Sequence, residues 1–288
     1  APSDDEDKYR RGVVGVVAGS DTYPGAGLLT TFAASNTGVG MVRLNSTRRV
    51  EDLVLHYAPG VVTVGGRIQS GVIGPGCTNE RYEDCRELAQ FCIDSKLPLV
   101  IDAGALDLVK GLRDYADAHS RSLSRAILTP HHGEAARLLT QLGSPRSRAD
   151  IDADPAASAK EVALLTGAVI LLKSSTTVCS YLHHDQGSRT QEIISIPQET
   201  PWAGVAGSGD VLAGAVAGIA AGFQARAERG QGNPSISEAE CATLASLGAW
   251  VHAQAAFRAG VGSQGHAHPI QAIDIARALP EIIGELCS

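Results

Sequence analysis

The chain has 288 residues, with 24 Lys or Arg against 31 Asp or Glu, a formal net charge of −7. That balance argues against a general nucleic-acid binder, which needs a basic face, and 44% hydrophobic against 19% charged residues argues against global disorder. No apolar run reaches the roughly 18–20 residues of a membrane span, and the acidic, polar start APSDDEDKYRRG has no signal-peptide pattern, so a cytoplasmic protein is expected.

Residues 1–11 read as a flexible N-terminal segment and 12–288 as one domain. VVGVVAGS from Val13 reads as a buried strand ending in a turn, and residues 27–36 as a small-residue helix. VVTVGG from Val61 and VIGPG from Val72 read as strands, and 82–95 as a helix. PLVIDAGAL from Pro98 is a strand with functional-looking residues at its end. AILTPHHGEAARLL from Ala126 is strand, turn, then helix. Residues 141–154 read as a polar loop, 154–166 as a helix and VILLK from Val169 as a strand. TVCSYL and EIISIP make a hairpin turning around residues 185–187. Residues 210–222, 237–257 and 270–286 are helices, with a polar loop over 225–234. Strands alternating with helices predict a mostly parallel sheet covered on both faces. The Gly-rich and polar segments then gather at the C-terminal strand edge, where such sheets bind ligands.

The six cysteines form no C-x-x-C pair and read as buried free thiols, with Cys85 and Cys92 on one helix face. Neither a Walker phosphate loop nor a G-x-S-x-G elbow occurs. The G-x-G-x-x-G at Gly260, Gly262 and Gly265 follows a helix and reads as a loop. His131–His132, His183–His184, His266 and His268 lack the pattern of a metal cage and read as surface or loop residues.

TPWAGVAGSGDVLAGAVAGIAAG, from Thr200, is the most informative segment. Gly207, Ser208 and Gly209 immediately precede a helix that begins near Asp210, whose free N–H groups and dipole would hold an anion. Asp210 in its first turn would accept a proton from a substrate hydroxyl beside that anion, although a capping Asp after a glycine turn gives the same pattern. Lys173 with Ser174, Ser175, Thr176 and Thr177 suits nucleotide phosphates or a ribose, and equally a hydroxyl-rich turn. In TPHHGE, Glu134 could hold a magnesium-bound water and His131 could bond a substrate; stabilising the helix start is the simpler role for Glu134. GSDTYPGAGLL offers backbone N–H groups around Ala26, and GPG ends in Gly76 at the same edge.

In this order, GSDTYPGAGLL, GPG, IDAGAL, LTPHHGE with LLKSSTT, and AGSGDVLAG resemble the ADP/ATP-dependent NAD(P)H-hydrate dehydratase family, a branch of the ribokinase-like superfamily. The resemblance runs from about Gly12 to the C-terminus. It implies a ribokinase-like three-layer α/β/α domain that repairs the S epimer of hydrated NADH or NADPH. ADP, or ATP, phosphorylates the ring hydroxyl, and phosphate then leaves with the ring nitrogen pushing electrons. By the same resemblance Asp210 is the base and the N–H groups of Gly207, Ser208 and Gly209 hold the transferred phosphate. Lys173, Ser174, Ser175, Thr176, Thr177 and Gly209 contact the nucleotide; Ala26, Gly76, His131 and Asp210 face the hydrated dinucleotide; Glu134 lies near Mg2+. A homotetramer is implied, as is a tie to an NAD(P)HX epimerase, fused or separate; no nucleic acid or membrane takes part. The family's D-A-D-A-L reads Asp102-Ala103-Gly104-Ala105-Leu106 here, its Lys-Gly reads Lys173-Ser174, and the Pro after TPH is His132. Two other readings keep the same anion site: a small-molecule kinase of the superfamily, for a sugar or a hydroxymethylpyrimidine or thiazole, and a non-catalytic nucleotide-binding module.

Overall fold

Valine-rich runs form strands here because both faces of each strand meet apolar neighbours. A computed structural model describes residues 7–185, 188–230, 235–261 and 265–288. Strands β1 (Val13–Val17), β2 (Met41–Asn45), β3 (Ser70–Ile73), β4 (Leu99–Ile101), β5 (Ala126–Leu128) and β6 (Val169–Leu172) run parallel. β7 (Thr176–Asp185) and β8 (Ser188–Pro197) add an antiparallel hairpin. The eight-stranded order is β2-β1-β3-β4-β5-β6-β7-β8.

Successive side chains alternate between faces. Val14, Val16, Val72, Val100, Ile127, Val169 and Leu171 enter one core. Val13, Val17, Ile73, Leu99, Ile101, Leu128, Ile170 and Leu172 enter the other. Double-sided burial makes the strands read as continuous apolar runs.

The helices are α1 (Pro24–Ser35), α2 (Arg48–Tyr57), α3 (Tyr82–Asp94), α4 (Val109–Ala118), α5 (His132–Gln141), α6 (Arg148–Ala153), α7 (Pro155–Thr166), α8 (Ser208–Ala227), α9 (Glu238–Ala259) and α10 (Ala272–Cys287). The first core takes α1, α2, α8, α9 and α10, and the second takes α3 to α7. The fold is therefore the expected three-layer α/β/α sandwich. Five thiols are buried and free, and Cys287 is exposed. Among the described residues no helix is long and apolar enough to cross a membrane.

Several elements differ from the sequence reading. VVTVGG is not a strand: only Val62 bridges β2, through Arg43. The Arg43 guanidinium instead holds the chain that follows, donating to the carbonyls of Val64, Gly65 and Arg67 at 2.8, 3.2 and 3.2 Å. β2 went unpredicted because that arginine interrupts a five-residue run. α2 and α4 bury only narrow stripes, Val50 and Val54 in one, Val109, Leu112 and Ala116 in the other. The polar loop expected over 141–154 contains α6, opened by a Ser147–Asp150 capping box. His132 pairs with Asp152 and ties α5 to α6. α1 starts at Pro24, a residue preset for a first helical turn. Residues 1–6, the turn residues 186–187, part of the loop over 225–234 and Gly262 lie outside the described residues. Of the N-terminal segment, Arg10 and Arg11 turn back on the Asp7 carbonyl, and Arg11 donates to the Gly38 carbonyl at 2.8 Å.

The close approach of α1 and α8 sets the mouth of the sheet edge. A Cβ on Gly214 would lie 2.2 Å from the Thr30 carbonyl oxygen, and one on Gly218 2.2 Å from Thr37 Oγ1. Alanine in an open helix gains about 1 kcal/mol over glycine. Here overpacking dominates, so Gly214→Ala is expected to lower stability by roughly 1–3 kcal/mol. Thermal unfolding checks this, and an unchanged or raised midpoint would contradict contact this close.

Candidate active site

β2 lies on one side of β1 and β3 on the other. The chain thus reverses direction across the sheet between β1 and β3, which opens a crevice beyond their C-terminal ends. Two loops line it. The Gly19 N–H donates to the Pro75 carbonyl at 2.7 Å, and Ser20 Oγ donates to the Gly76 carbonyl at 2.8 Å. Gly76 has φ +66°, and a Cβ there would lie 2.5 Å from the Ala26 methyl. Ala26 and Gly76 are therefore close neighbours, packed so tightly that a side chain at 76 would also meet the Tyr23 carbonyl oxygen at 3.0 Å.

The loop after β3 also packs on the turn after β4. A Cβ on Gly104 would meet the Cys77 carbonyl oxygen at 2.4 Å. No aspartate fits at 104 with this loop in place. Asp102 remains: it is 1% exposed and accepts from Thr129 Oγ1 at 2.8 Å. Ala103 follows with φ +47°, a strained conformation of the kind found at functional sites.

Lys173 at the end of β6 reaches across to Asp102. Its Nζ lies 2.7 Å from Asp102 Oδ1 and 3.9 Å from Glu134 Oε2. A Cβ on Gly209 would lie 3.2 Å from the same nitrogen, so the ammonium also abuts the start of α8. Burial works against the charged lysine, but Asp102, Glu134 and Asp210 outweigh it and raise its pKa. Lys173 N–H donates to the Pro130 carbonyl at 2.8 Å, which places His131 beside it.

His131 and Glu134 are engaged locally. His131 Nδ1 accepts from the N–H groups of Gly133 and Glu134 at 3.0 and 3.2 Å, while Glu134 Oε2 accepts from His131 N–H at 2.8 Å. This capping box makes Nδ1 the acceptor, so a neutral His131 carries its hydrogen on Nε2. That N–H lies on an exposed ring, 3.5 Å from Glu134 Oε1. Glu134 stabilises the helix start, as its simpler sequence reading held, and also faces Lys173. Of the hydroxyls after Lys173, those of Ser175 and Thr176 are exposed and Ser174 is half-buried. Thr177 is buried, with Oγ1 donating to the Ser174 carbonyl at 3.5 Å.

Gly207 starts α8 in the left-handed region, φ +89°, where a side chain is strained. The first-turn N–H groups have no helical carbonyl to bond. That of Ser208 turns to the Val205 carbonyl at 3.2 Å. Asp210, in the same turn, is pushed up to about 7, first by burial and then by Asp102 and Glu134, against the pull of Lys173. Three carboxylates thus share one ammonium. The cluster suits a proton on Asp210, or an added cation.

Two residues here escaped the sequence reading. Asp102 sits in the quoted IDAGAL, where the missing carboxylate at 104 drew notice instead. His252 of α9, 3% exposed, places Nε2 3.0 Å from the Ser208 carbonyl oxygen and 3.1 Å from Ser208 Oγ.

A family model described as NAD(P)H-hydrate dehydratase matches residues 14–274. The bifunctional NAD(P)H-hydrate repair enzyme of Mycobacterium tuberculosis is 36% identical over 225 residues, 76% of this chain and 43% of that one. The chain thus spans about half the length of such bifunctional relatives. The ADP-dependent (S)-NAD(P)H-hydrate dehydratase of Neisseria meningitidis is 29% identical over 89% of this chain and 80% of its own. Among solved structures, the ADP/ATP-dependent NAD(P)H-hydrate dehydratase of Bacillus subtilis, co-crystallized with ATP/Mg2+, superposes with TM-score 0.72 at 21% identity, over 99% of this chain and 93% of that one.

The raised carboxyl has a thermodynamic consequence. Unfolded, Asp210 ionises near its ordinary 3.8; folded, near 7. Between these values the folded state holds a proton that the unfolded state lacks, so this group's contribution to stability declines as pH rises through the window. Asp210→Asn removes the decline. Its unfolding midpoint relative to the parent should climb between about pH 4.5 and 7.5 and level off above. An offset constant over that range would contradict the shift.

Proposed function

The chain belongs to the NAD(P)H-hydrate dehydratase family, and on that premise we propose that it restores the S epimer of hydrated NADH or NADPH, with ADP giving AMP and phosphate, or ATP giving ADP and phosphate. One observation carries the reading: Asp210, balanced near neutral, stands in the first turn of α8 against Lys173.

Ionised Asp210 takes the proton of the ring hydroxyl as its oxygen attacks the terminal phosphoryl group. The O–P bond to the nucleotide breaks, and the leaving oxygen keeps the electron pair. N–H groups at Gly207 and Gly209, with the α8 dipole, receive the phosphoryl oxygens. Positioning and charge stabilisation of this kind dominate phosphoryl transfer. The ring nitrogen then expels phosphate with the C–O electrons, and loss of a ring proton restores the double bond. Lys173 and residues 174–177 hold the nucleotide, while Ala26, Gly76 and His131 line the dinucleotide side.

Among the described residues no group of three His, Cys, Asp or Glu side chains is placed to cage a metal. The net negative cluster of Asp102, Glu134 and Asp210 still favours a cation. The residues would suit Mg2+ carried on nucleotide phosphates, with Glu134 as the carboxylate that would hold one of its waters. When bound it supplies neutralisation of phosphate charge. Buried thiols suit a reducing cytoplasm. Exposed Phe223, Trp250 and Phe257 suit a homotetramer that covers them. An epimerase for the R form is the natural partner, as the name of the bifunctional M. tuberculosis relative suggests.

Absorbance at the reduced-nicotinamide band and released phosphate are measured together on hydrated NADH or NADPH, with magnesium and ADP or ATP. Equal, nucleotide-dependent rises are expected. A stable phosphorylated product without the absorbance rise would instead make the chain a kinase. Asp210→Asn should lower kcat by about a thousandfold, within the span of general-base losses, and retain nucleotide binding. Lys173→Met should raise the nucleotide KM by about tenfold.

A further inference from the structure

His252 touches the start of α8, yet the chemistry above gives it no part. Its Nε2 is 3.0 Å from the Ser208 carbonyl oxygen. A carbonyl oxygen only accepts, so Nε2 carries the hydrogen. Nδ1 is buried and has no partner among the described residues. It therefore carries the lone pair, because a buried N–H without an acceptor is the costlier choice. Burial lowers the imidazole pKa to about 4, and Lys173 adds to that, while the bond to Ser208 opposes it. The ring is neutral across the physiological range, with one fixed tautomer.

That tautomer dictates what Ser208 does. Its Oγ lies 3.1 Å from the same Nε2–H and so accepts from it. Its own hydrogen has no acceptor on the imidazole. The Ser208 N–H is already turned to the Val205 carbonyl. The hydroxyl, not the amide, is what Ser208 offers to an anion. We propose that His252 is a positioning residue that makes the Ser208 hydroxyl a donor to the transferred phosphoryl group, beside the N–H groups of Gly207 and Gly209. This rests on the reading of the α8 start as the phosphoryl site.

The test combines a spectrum with three variants. In the intact chain, imidazole nitrogen resonances should show His252 neutral, protonated at Nε2, down to about pH 5. An Nδ1–H tautomer, or charging near the ordinary 6.5, overturns the proposal even if no variant folds. His252→Leu keeps volume without a donor, and should lower kcat by about tenfold while the nucleotide KM moves less than about threefold. His252→Gln can return an N–H to the Ser208 carbonyl and should recover most of that loss. Ser208→Ala should add little in the His252→Leu background, since its donor is already misdirected. Equal losses in His252→Leu and His252→Gln, with Ser208→Ala adding its full factor, would mean that His252 only braces α9. If the chain does not dehydrate hydrated NADH, binding of inorganic phosphate decides: His252→Leu and Ser208→Ala should weaken it alike and His252→Gln should not. Unchanged phosphate affinity in all three overturns the proposal.

Discussion

Lys173 leaves the end of β6 and meets the buried carboxylate of Asp102 at the end of β4, 2.7 Å away. The two strands are separated by β5, so this contact spans the floor of the site. Removing one partner of such a buried pair typically costs about 3–5 kcal/mol, because it strands the other charge. The pair also sets everything nearby. It places an ammonium against Gly209 at the start of α8, and it leaves Asp210 and Glu134 without a full share of positive charge. Burial, and then this local excess of negative charge, keep Asp210 protonatable near neutral pH. It also favours an added cation.

Glycine does the complementary work where backbones must approach. Gly207 accepts a left-handed turn so that α8 can begin in the crevice. Gly104 lets the loop carrying Gly76 lie on the Asp102 turn. Gly214 and Gly218 let α1 come against α8. The loop after β1 and the loop after β3 then meet at the point where strand order reverses. A helix N-terminus, a neutral-range carboxylate and a buried lysine are thereby brought to one edge of the sheet.

Much of this was legible in the sequence, and the exceptions have physical causes. Doubly buried strands announce themselves as apolar runs, so β1, β3, β4, β5 and β6 were each located. The AGSGDVLAG segment marked α8 because a glycine turn before a run of small apolar residues reads as the start of a buried helix, with Asp210 in its first turn. β2 was hidden by Arg43, whose charge serves the neighbouring loop and not the strand. α6 was hidden because its capping box, Ser147 and Asp150, is made of the same residues that mark a loop. Asp102 could have been weighed from its place at a strand end, but its lysine partner is 71 residues away. His252 lies in an alanine-rich helix with no local motif, and only the packing of α9 on α8 reveals it.

The pH dependence of kcat/KM for dehydration of hydrated NADH tests the central claim most directly, since it reports the ionisation of the free enzyme. Asp210 as a base balanced near 7 predicts a rate that climbs with pH through neutrality, falling about tenfold per unit below it. A profile flat down to the ordinary carboxylate range near 3.8 would contradict the claim that burial and two neighbouring carboxylates set this residue's proton.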